Sequence, residues 1–485
     1  MAMQDAVLGR ASISERLMIY GALLALLLAG FFLRVHALAH DSFWLDEAYS
    51  WGWIVNTTWN SVWLALTEFS DVSPLYYVVG KLCAPFFGVR EFGLRLPSVF
   101  VGLITIPVVY RLGKALAGAW VGVLAAALIA LSPYAVWHSR DARPYALYLL
   151  FSALALWGFW RAERGRGWLM LILSSMAWYV THYLSALFAY TQAVYSLTQI
   201  RRQPTLFRRW AFAQAIAVLP VLAWVSLFLS QKRLLSANWW IPNVNPFMPF
   251  QTLWNFFSGD ATTWSVPMAI GVVILTALIG WGAYLRRRSR MTHLLLWWML
   301  LPVATAWLFS LRQPSYADRY FFPAMVPAGL LLGCGLMGLP KVWRGALAAI
   351  LVVGLTGGSL RIYGDPVFVK QQWRDVARIV EAEQLPVGLS DPQSVVVILP
   401  YIATKVQFEF ARNEKELSER LAEGPFLFIV PSPVKNETAQ ALSKPAPFDP
   451  LTEGPDFFVH WLKAHPAVPV RPYTFTGAAV VVIGK

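Results

Sequence analysis

The stretch DSFWLDEAYS, residues 41–50, follows directly on an apolar run, Leu17 to Leu33, in a chain that otherwise keeps acids out of its apolar parts. The run is close to the roughly 20 residues that a membrane span needs. It is longer than the core of a usual cleavable signal and further runs follow it, so it reads as an uncleaved first helix. Two adjacent carboxylates, Asp46 and Glu47, are thereby set at a membrane surface.

Composition agrees with a chain whose solvent is mostly lipid: 57% of residues are hydrophobic, 14% are charged and the mean hydropathy is +0.52. The formal charge of +14 does not indicate nucleic acid, because the cations sit in short clusters between apolar runs, as orientation signals do. Cys83 and Cys334 lie far apart and show neither metal-ligand spacing nor a disulfide framework. Beyond the first run, apolar segments lie near 93–110, 119–137, 145–160, 168–180, 184–199, 211–230, 266–285, 294–310, 321–339 and 345–361. The expected architecture is an all-α polytopic membrane protein with about eleven transmembrane helices and a C-terminal extracytoplasmic α/β domain.

Loop charge supports this count. Arg111 and Lys114, then Arg161, Arg164 and Arg166, then Arg201, Arg202, Arg208 and Arg209, then Arg286, Arg287, Arg288 and Arg290, and last Lys341 and Arg344 fall in alternate loops. The intervening loops hold nearly all the acids before residue 361. By the excess of Lys and Arg in cytoplasmic loops, the amino terminus is cytoplasmic and everything after residue 361 is outside. The segments from 168 to 199 are each short for a straight span.

Two domains follow: 1–361 in the membrane, with a first outer loop over 40–92, and 362–485 outside. In the outer domain, Ser394–Leu399, Pro425–Val430 and Ala478–Ile483 read as strands. Trp373, Val376, Ala377 and Val380 recur at helical spacing, and Asn413–Ala422 reads as helix. This outer domain has no GxGxxG or Walker motif, and no repeat of 20 to 50 residues is apparent along the chain.

The outer segments gather the chemistry-bearing residues: Trp44, Trp51, Trp53, Trp59 and Trp63 in the first loop, DVSPLYY at 71–77, EFGLRLPS at 91–98, WHSRDARPYAL at 137–147, Thr181-His182-Tyr183, and YADRYFFP at 316–323. In order, FWLDEAYSWGW, SPLYY, EFGLRLPSVFVGL, LSPYAVWHSRDARPYALYLL and DRYFFPAMVPAGLLL resemble the GT-C superfamily of polyprenyl-phosphate-sugar-dependent glycosyltransferases. Within it, bacterial relatives of the protein O-mannosyltransferases and of the lipid A aminoarabinose transferases are the nearest match. The resemblance runs over residues 15–361, and WRDVARIV at 373–380 is similar to the start of their outer domain.

The resemblance implies inverting transfer of a sugar from a polyprenyl-phosphate donor to an acceptor protein, lipid or glycan, at the outer face of a bacterial plasma membrane. It needs no cofactor and no metal. The family's general base falls on Asp46, with Glu47 beside it as a second catalytic acid. A carboxylate suits that task, because it can take the proton of a poorly nucleophilic hydroxyl as the new bond forms. The departing lipid phosphate needs cations, for which Arg140, Arg143 and Arg319 are candidates. Asp71, Tyr76, Asp141, Tyr145, His182 and Tyr320 complete the expected substrate site. Some relatives carry a Lys near SPLYY; here Val72 and Ser73 stand there, which argues against an aminoarabinose donor.

Each residue has a structural reading as well. Asp46 and Glu47 suit the start of an interfacial helix. Asp71 precedes Ser-Pro as a turn residue would. Arg140, Asp141 and Arg143 suit an ion-pair cluster at a helix top, Arg319 a pairing with Asp318, and His182 a satisfied core histidine. His36, His40 and Asp41 are too few for a convincing metal site. A transporter or flippase of isoprenoid-linked sugars is the rival function. The odd span count, the missing inverted repeat and acids gathered at one face argue against it.

Overall fold

The computed structural model describes residues 12–59, 74–230 (backbone alone for 223–230), 241, 243–259, 265–365, 368, 370–431, 449–476 and 478–485. Helices come first along the chain: α1 (Ile13–Val35), α2 (Leu45–Asn56), α3 (Pro74–Phe87), α4 (Glu91–Ala117), α5 (Ala119–Leu131), α6 (Pro133–Ser139), α7 (Tyr145–Glu163), α8 (Trp168–Tyr179) and α9 (Ser185–Thr198). There follow α10 (Leu206–Ser230), α11 (Met248–Ser258), α12 (Val266–Leu285), α13 (Arg290–Ser310), a 3-10 segment (Asp318–Ala324) leading into α14 (Met325–Met337), and α15 (Lys341–Arg361). The C-terminal segment runs α16 (Trp373–Glu383), β1 (Val387–Leu389), α17 (Gln393–Ile398), β2 (Phe408–Phe410), α18 (Glu414–Glu423), β3 (Phe426–Pro431), α19 (Pro450–Glu453), α20 (Asp456–Ala464), β4 (Val470–Phe475) and β5 (Ala478–Ile483).

Each of the eleven apolar runs falls on helix, yet they do not make eleven straight spans. Among the described residues, seven helices are long and apolar enough to cross a membrane, or eight if the bent pair α5 and α6 counts as one. Helices α8 and α9 have 12 and 14 residues. At 1.5 Å per residue they rise about 18–21 Å, short of a hydrocarbon core of about 30 Å. The break between α5 and α6 bends by 57° at Ser132-Pro133, where proline removes a helical donor. Ser132 caps the second piece by accepting from Ala135 N–H, and its hydroxyl donates to the Phe256 carbonyl at 2.6 Å.

The chain forms two compact units, one of residues 1–36, 69–76 and 98–360 and one of residues 37–68, 77–97 and 361–485. In the first, the span Asp318–Met337 is 94% buried and Lys341–Arg361 only 11%. The former is a central helix; the latter presents Val342, Trp343, Ile350 and Val353 outward, as a lipid-facing helix does. Helices α12 and α14 touch backbone to backbone: a Cβ on Gly282 would stand 2.0 Å from the Leu331 carbonyl, and one on Gly335 2.1 Å from that of Leu278. Small residues are what allow membrane helices to pack this closely.

The second unit is built on a five-stranded sheet of order β2-β1-β3-β5-β4. β1 runs parallel to β2 and β3, while β5 runs antiparallel to β3 and β4, with Phe426 opposite Ile483. β5 is buried throughout, which explains its uninterrupted apolar sequence. Phe426, Phe428, Val430, Val481 and Ile483 pack with Phe458 and Trp461 of α20 and Leu417 of α18. Trp373, Val376, Ala377 and Val380 are the buried stripe of α16, as their spacing predicts.

Of the expected strands, 425–430 and 478–483 are strands, but 394–399 is helix α17 and the 3-10 turn after it. Asp391 decides this local outcome. Its carboxylate accepts from Gln393 N–H at 2.7 Å and from the Ser394 hydroxyl at 2.7 Å, starting a helix where the β-branched run alone suggested a strand.

Candidate functional site

Asp46 and Glu47 occupy the first turn of α2, in the second unit, where the helix dipole favours acids. Asp46 is half-buried, whereas Glu47 is fully buried. Arg95, from the first turns of α4, donates from Nε to Glu47 Oε1 at 2.8 Å and from a terminal nitrogen to Oε2 at 2.7 Å. Lys370 Nζ reaches the same Oε2 at 3.1 Å, and Trp44 N–H points to it at 3.4 Å. Both carboxylate oxygens of Glu47 are thus committed to cations.

The residues leading into α2 make no ladder, but their carbonyls are satisfied. Arg95 donates to the carbonyls of Leu38, Asp41 and Ser42 at 2.8, 3.0 and 3.0 Å. Arg374 donates to those of Ala39 and His40 at 3.1 and 3.4 Å. Five consecutive carbonyls are therefore shared between two arginines. The Ser42 hydroxyl accepts from the Arg374 backbone N–H at 3.1 Å, and Phe43 N–H donates to the Tyr401 hydroxyl at 2.7 Å. At the other end of α2, Lys81 donates to the carbonyls of Ile54, at 3.1 Å, and Thr57. A lysine there also complements the helix dipole.

Glu91 joins this cluster by pairing with Arg374 and accepting from the Tyr401 hydroxyl at 2.7 Å. Burial, and then the Glu91 carboxylate beside it, push the Tyr401 phenol well above its ordinary value, so it serves as a neutral hydrogen-bonding group.

The first unit holds a second cluster, around His182. Its ring stacks on Tyr148 at 4.5 Å and on Tyr183 at 4.9 Å, with Tyr320 at 5.7 Å and Tyr145 at 6.4 Å. Burial and then the charges of Arg143 and Arg319 lower its pKa to about 3, so the imidazole is neutral near pH 7. Nδ1 accepts from Leu184 N–H at 3.2 Å, which leaves the ring proton on Nε2. Arg319 lies over the Tyr320 ring at 5.8 Å, and the neighbouring Asp318 accepts from Thr252 at 2.6 Å and from Asn255.

The sequence-derived residues do not all come together. Arg143, Tyr145, His182, Arg319 and Tyr320 come together around the imidazole. Arg140 and Asp141 lie in the turn that follows α6. Arg140 donates to the carbonyls of Arg34 and His36 at 3.2 and 2.6 Å, closing the end of α1, and Asp141 stands 3.6 Å from His138. Tyr76 is buried at the start of α3, where the preceding Leu75 N–H donates to the Val180 carbonyl at 3.1 Å. Asp71 lies outside the described residues. Among the described residues, no three His, Cys, Asp or Glu side chains gather as a metal site. Sequence reasoning missed Arg95, Lys370, Arg374 and Tyr401. The available signal for Arg95 was a cation set between Leu94 and Leu96 near the start of an apolar run.

A family model described as dolichyl-phosphate-mannose-protein mannosyltransferase matches residues 71–227. No curated protein sequence matches the chain. Among solved structures it is similar to ArnT from Cupriavidus metallidurans in the apo state, with 12% identity and a TM-score of 0.62 over 96% of this chain and 98% of that one. ArnT bound to undecaprenyl phosphate gives 13% identity and a TM-score of 0.61 over 98% and 99%. The apo oligosaccharyltransferase from Archaeoglobus fulgidus gives 12% and 0.52 over 89% and 71%. At these identities the structural likeness speaks for fold, and it runs along nearly the whole chain, in keeping with the motifs met in order along the sequence. The protein is a polytopic membrane protein with the fold seen in the ArnT structures.

Proposed function

We propose that the protein is an inverting glycosyltransferase that moves a sugar from a polyprenyl-phosphate carrier to an acceptor at the outer face of the plasma membrane. The observation that carries this reading is the likeness, over 98% of the chain, to ArnT bound to undecaprenyl phosphate. The mannosyltransferase model over 71–227 adds to it, since that stretch contains Arg143 and His182.

In this reading Asp46 takes the proton of the acceptor hydroxyl as the hydroxyl oxygen bonds to the anomeric carbon from the face opposite the phosphate. The bond from that carbon to the phosphate oxygen breaks, and the lipid monophosphate leaves with the electron pair. Arg143 and Arg319 neutralise the charge that develops on it, and the Nε2–H of neutral His182 is a further donor. Glu47, with both oxygens held by Arg95 and Lys370, positions the turn that carries Asp46 and does not itself move protons.

The test supplies the full chain in lipid nanodiscs with radiolabelled undecaprenyl-phosphoryl-mannose and a panel of other undecaprenyl-phosphoryl sugars, with envelope extract as acceptor. Release of undecaprenyl phosphate with label transferred at an inverted anomeric centre is expected for one donor. Movement of intact donor across the bilayer with no bond cleaved would instead identify a flippase.

A further inference from the structure

We infer that Arg374, at the start of the C-terminal segment, is a positioning residue for Asp46. The inference rests on the reading of Asp46 as general base. It starts from the division of labour over residues 38–42, where Arg95 takes three carbonyls and Arg374 the two between them. A turn without ladder bonds keeps one conformation only if its peptide groups are satisfied in that conformation and in no other. Arg95 alone leaves the Ala39 and His40 carbonyls free to rotate toward water.

Arg374 is well suited to fix them because it is fixed itself. It is the second residue of α16, so its backbone N–H is one of the donors a helix start leaves over, and the Ser42 hydroxyl accepts it. Its guanidinium pairs with Glu91 and lies 5.8 Å from the Tyr401 ring. Tyr401 closes the set by joining Glu91 to the Phe43 N–H. Asp46 follows Phe43 by one helix entry, so the direction in which α2 sets out from this turn decides where its carboxylate stands. A misplacement of about 1 Å at a reacting group costs roughly 10²-fold in rate.

The experiment compares the full-length wild type with Arg374→Ala, Arg374→Lys, Tyr401→Phe and Asp46→Asn in nanodiscs. It measures hydrogen exchange over residues 38–50, affinity for undecaprenyl phosphate, and turnover and KM with undecaprenyl-phosphoryl-mannose. Expected for Arg374→Ala are faster exchange confined to 38–50, unchanged lipid affinity and KM, and turnover lower by about 10²-fold. Lysine keeps the Glu91 pair but cannot span two carbonyls, so Arg374→Lys recovers part of the rate. Tyr401→Phe, which deletes one hydroxyl and folds with the same ring, falls less.

Exchange over 38–50 that is unchanged in both Arg374→Ala and Tyr401→Phe overturns the inference. So does a rate loss matched by loss of lipid affinity, which marks general collapse. A fast Arg374→Ala beside an inactive Asp46→Asn defeats the positioning role alone. Near wild-type turnover in Asp46→Asn defeats the base assignment, and the positioning role with it.

Discussion

Replacing Glu47 by glutamine tests what holds the first turn of α2. The carboxylate is fully buried, and the side chains of the two cations on it, Arg95 and Lys370, are only 3% and 8% exposed. Glutamine keeps the shape but removes a negative charge that both cations contact, and turns one acceptor into an NH2 group facing their donors. Breaking a buried pair in this way costs about 3–5 kcal/mol, because the buried cations lose this counter-charge without reaching water. For a unit of this size the second unit's melting temperature should then fall by about 10 °C. Thermal denaturation of the purified protein in detergent, with hydrogen exchange over 38–50 to localise the change, measures it. In the Glu47→Gln background, Lys370→Met removes one of the buried cations and should restore about 1–2 kcal/mol, although Lys370→Met alone destabilises the wild type. A loss below about 1 kcal/mol for Glu47→Gln, or strictly additive effects of the two substitutions, would refute the argument.

Four further outcomes are expected. Asp46→Asn should lower turnover by roughly 10² to 10⁴ while undecaprenyl phosphate still binds, as measured by single-turnover transfer and lipid titration. Arg319→Ala, and to a similar or smaller degree Arg143→Ala, should weaken undecaprenyl phosphate binding by about 1.5–3 kcal/mol without lowering the melting temperature. The pKa of His182 is depressed to about 3, so the unfolded chain takes up a proton below about pH 6.5 that the folded chain refuses. Its stabilising effect is therefore full above about pH 6.5 and declines as pH falls, by on the order of 3 kcal/mol at pH 4; His182→Gln should flatten that part of the melting profile. In a background with Cys83 and Cys334 replaced by serine, Lys415→Cys should react with an impermeant thiol reagent from outside the cell and Arg288→Cys should not. The reverse pattern would invert the proposed topology.

What could be read from the sequence was what repeats locally. Apolar runs located the membrane helices, the spacing of Trp373, Val376, Ala377 and Val380 gave α16, and the uninterrupted run Ala478–Ile483 gave β5. Short elements were lost. β1 and β2 have three residues each, too few for an alternation, and β4 carries Pro472. The 394–399 run has strand-like residues, but Asp391 outside it fixes the helix. At the site, the sequence pointed to the acids and to Arg143, His182 and Arg319, because charged residues beside apolar runs stand out. It did not point to their supports. Glu47 and Lys370 are 323 residues apart, and Glu91 and Arg374 are 283 apart, so no spacing rule connects them.

That separation matters while the protein is being made. The backbone N–H of Arg374 that meets the Ser42 hydroxyl is added 332 residues after it. At about 5–20 residues per second, the ribosome delivers it on the order of tens of seconds after the turn has left the exit tunnel. All of the membrane helices after α1 are synthesised in that interval. The nascent chain therefore carries its two acids through insertion with the Ala39 and His40 carbonyls still solvated, and a product terminated before residue 374 keeps them so for its lifetime.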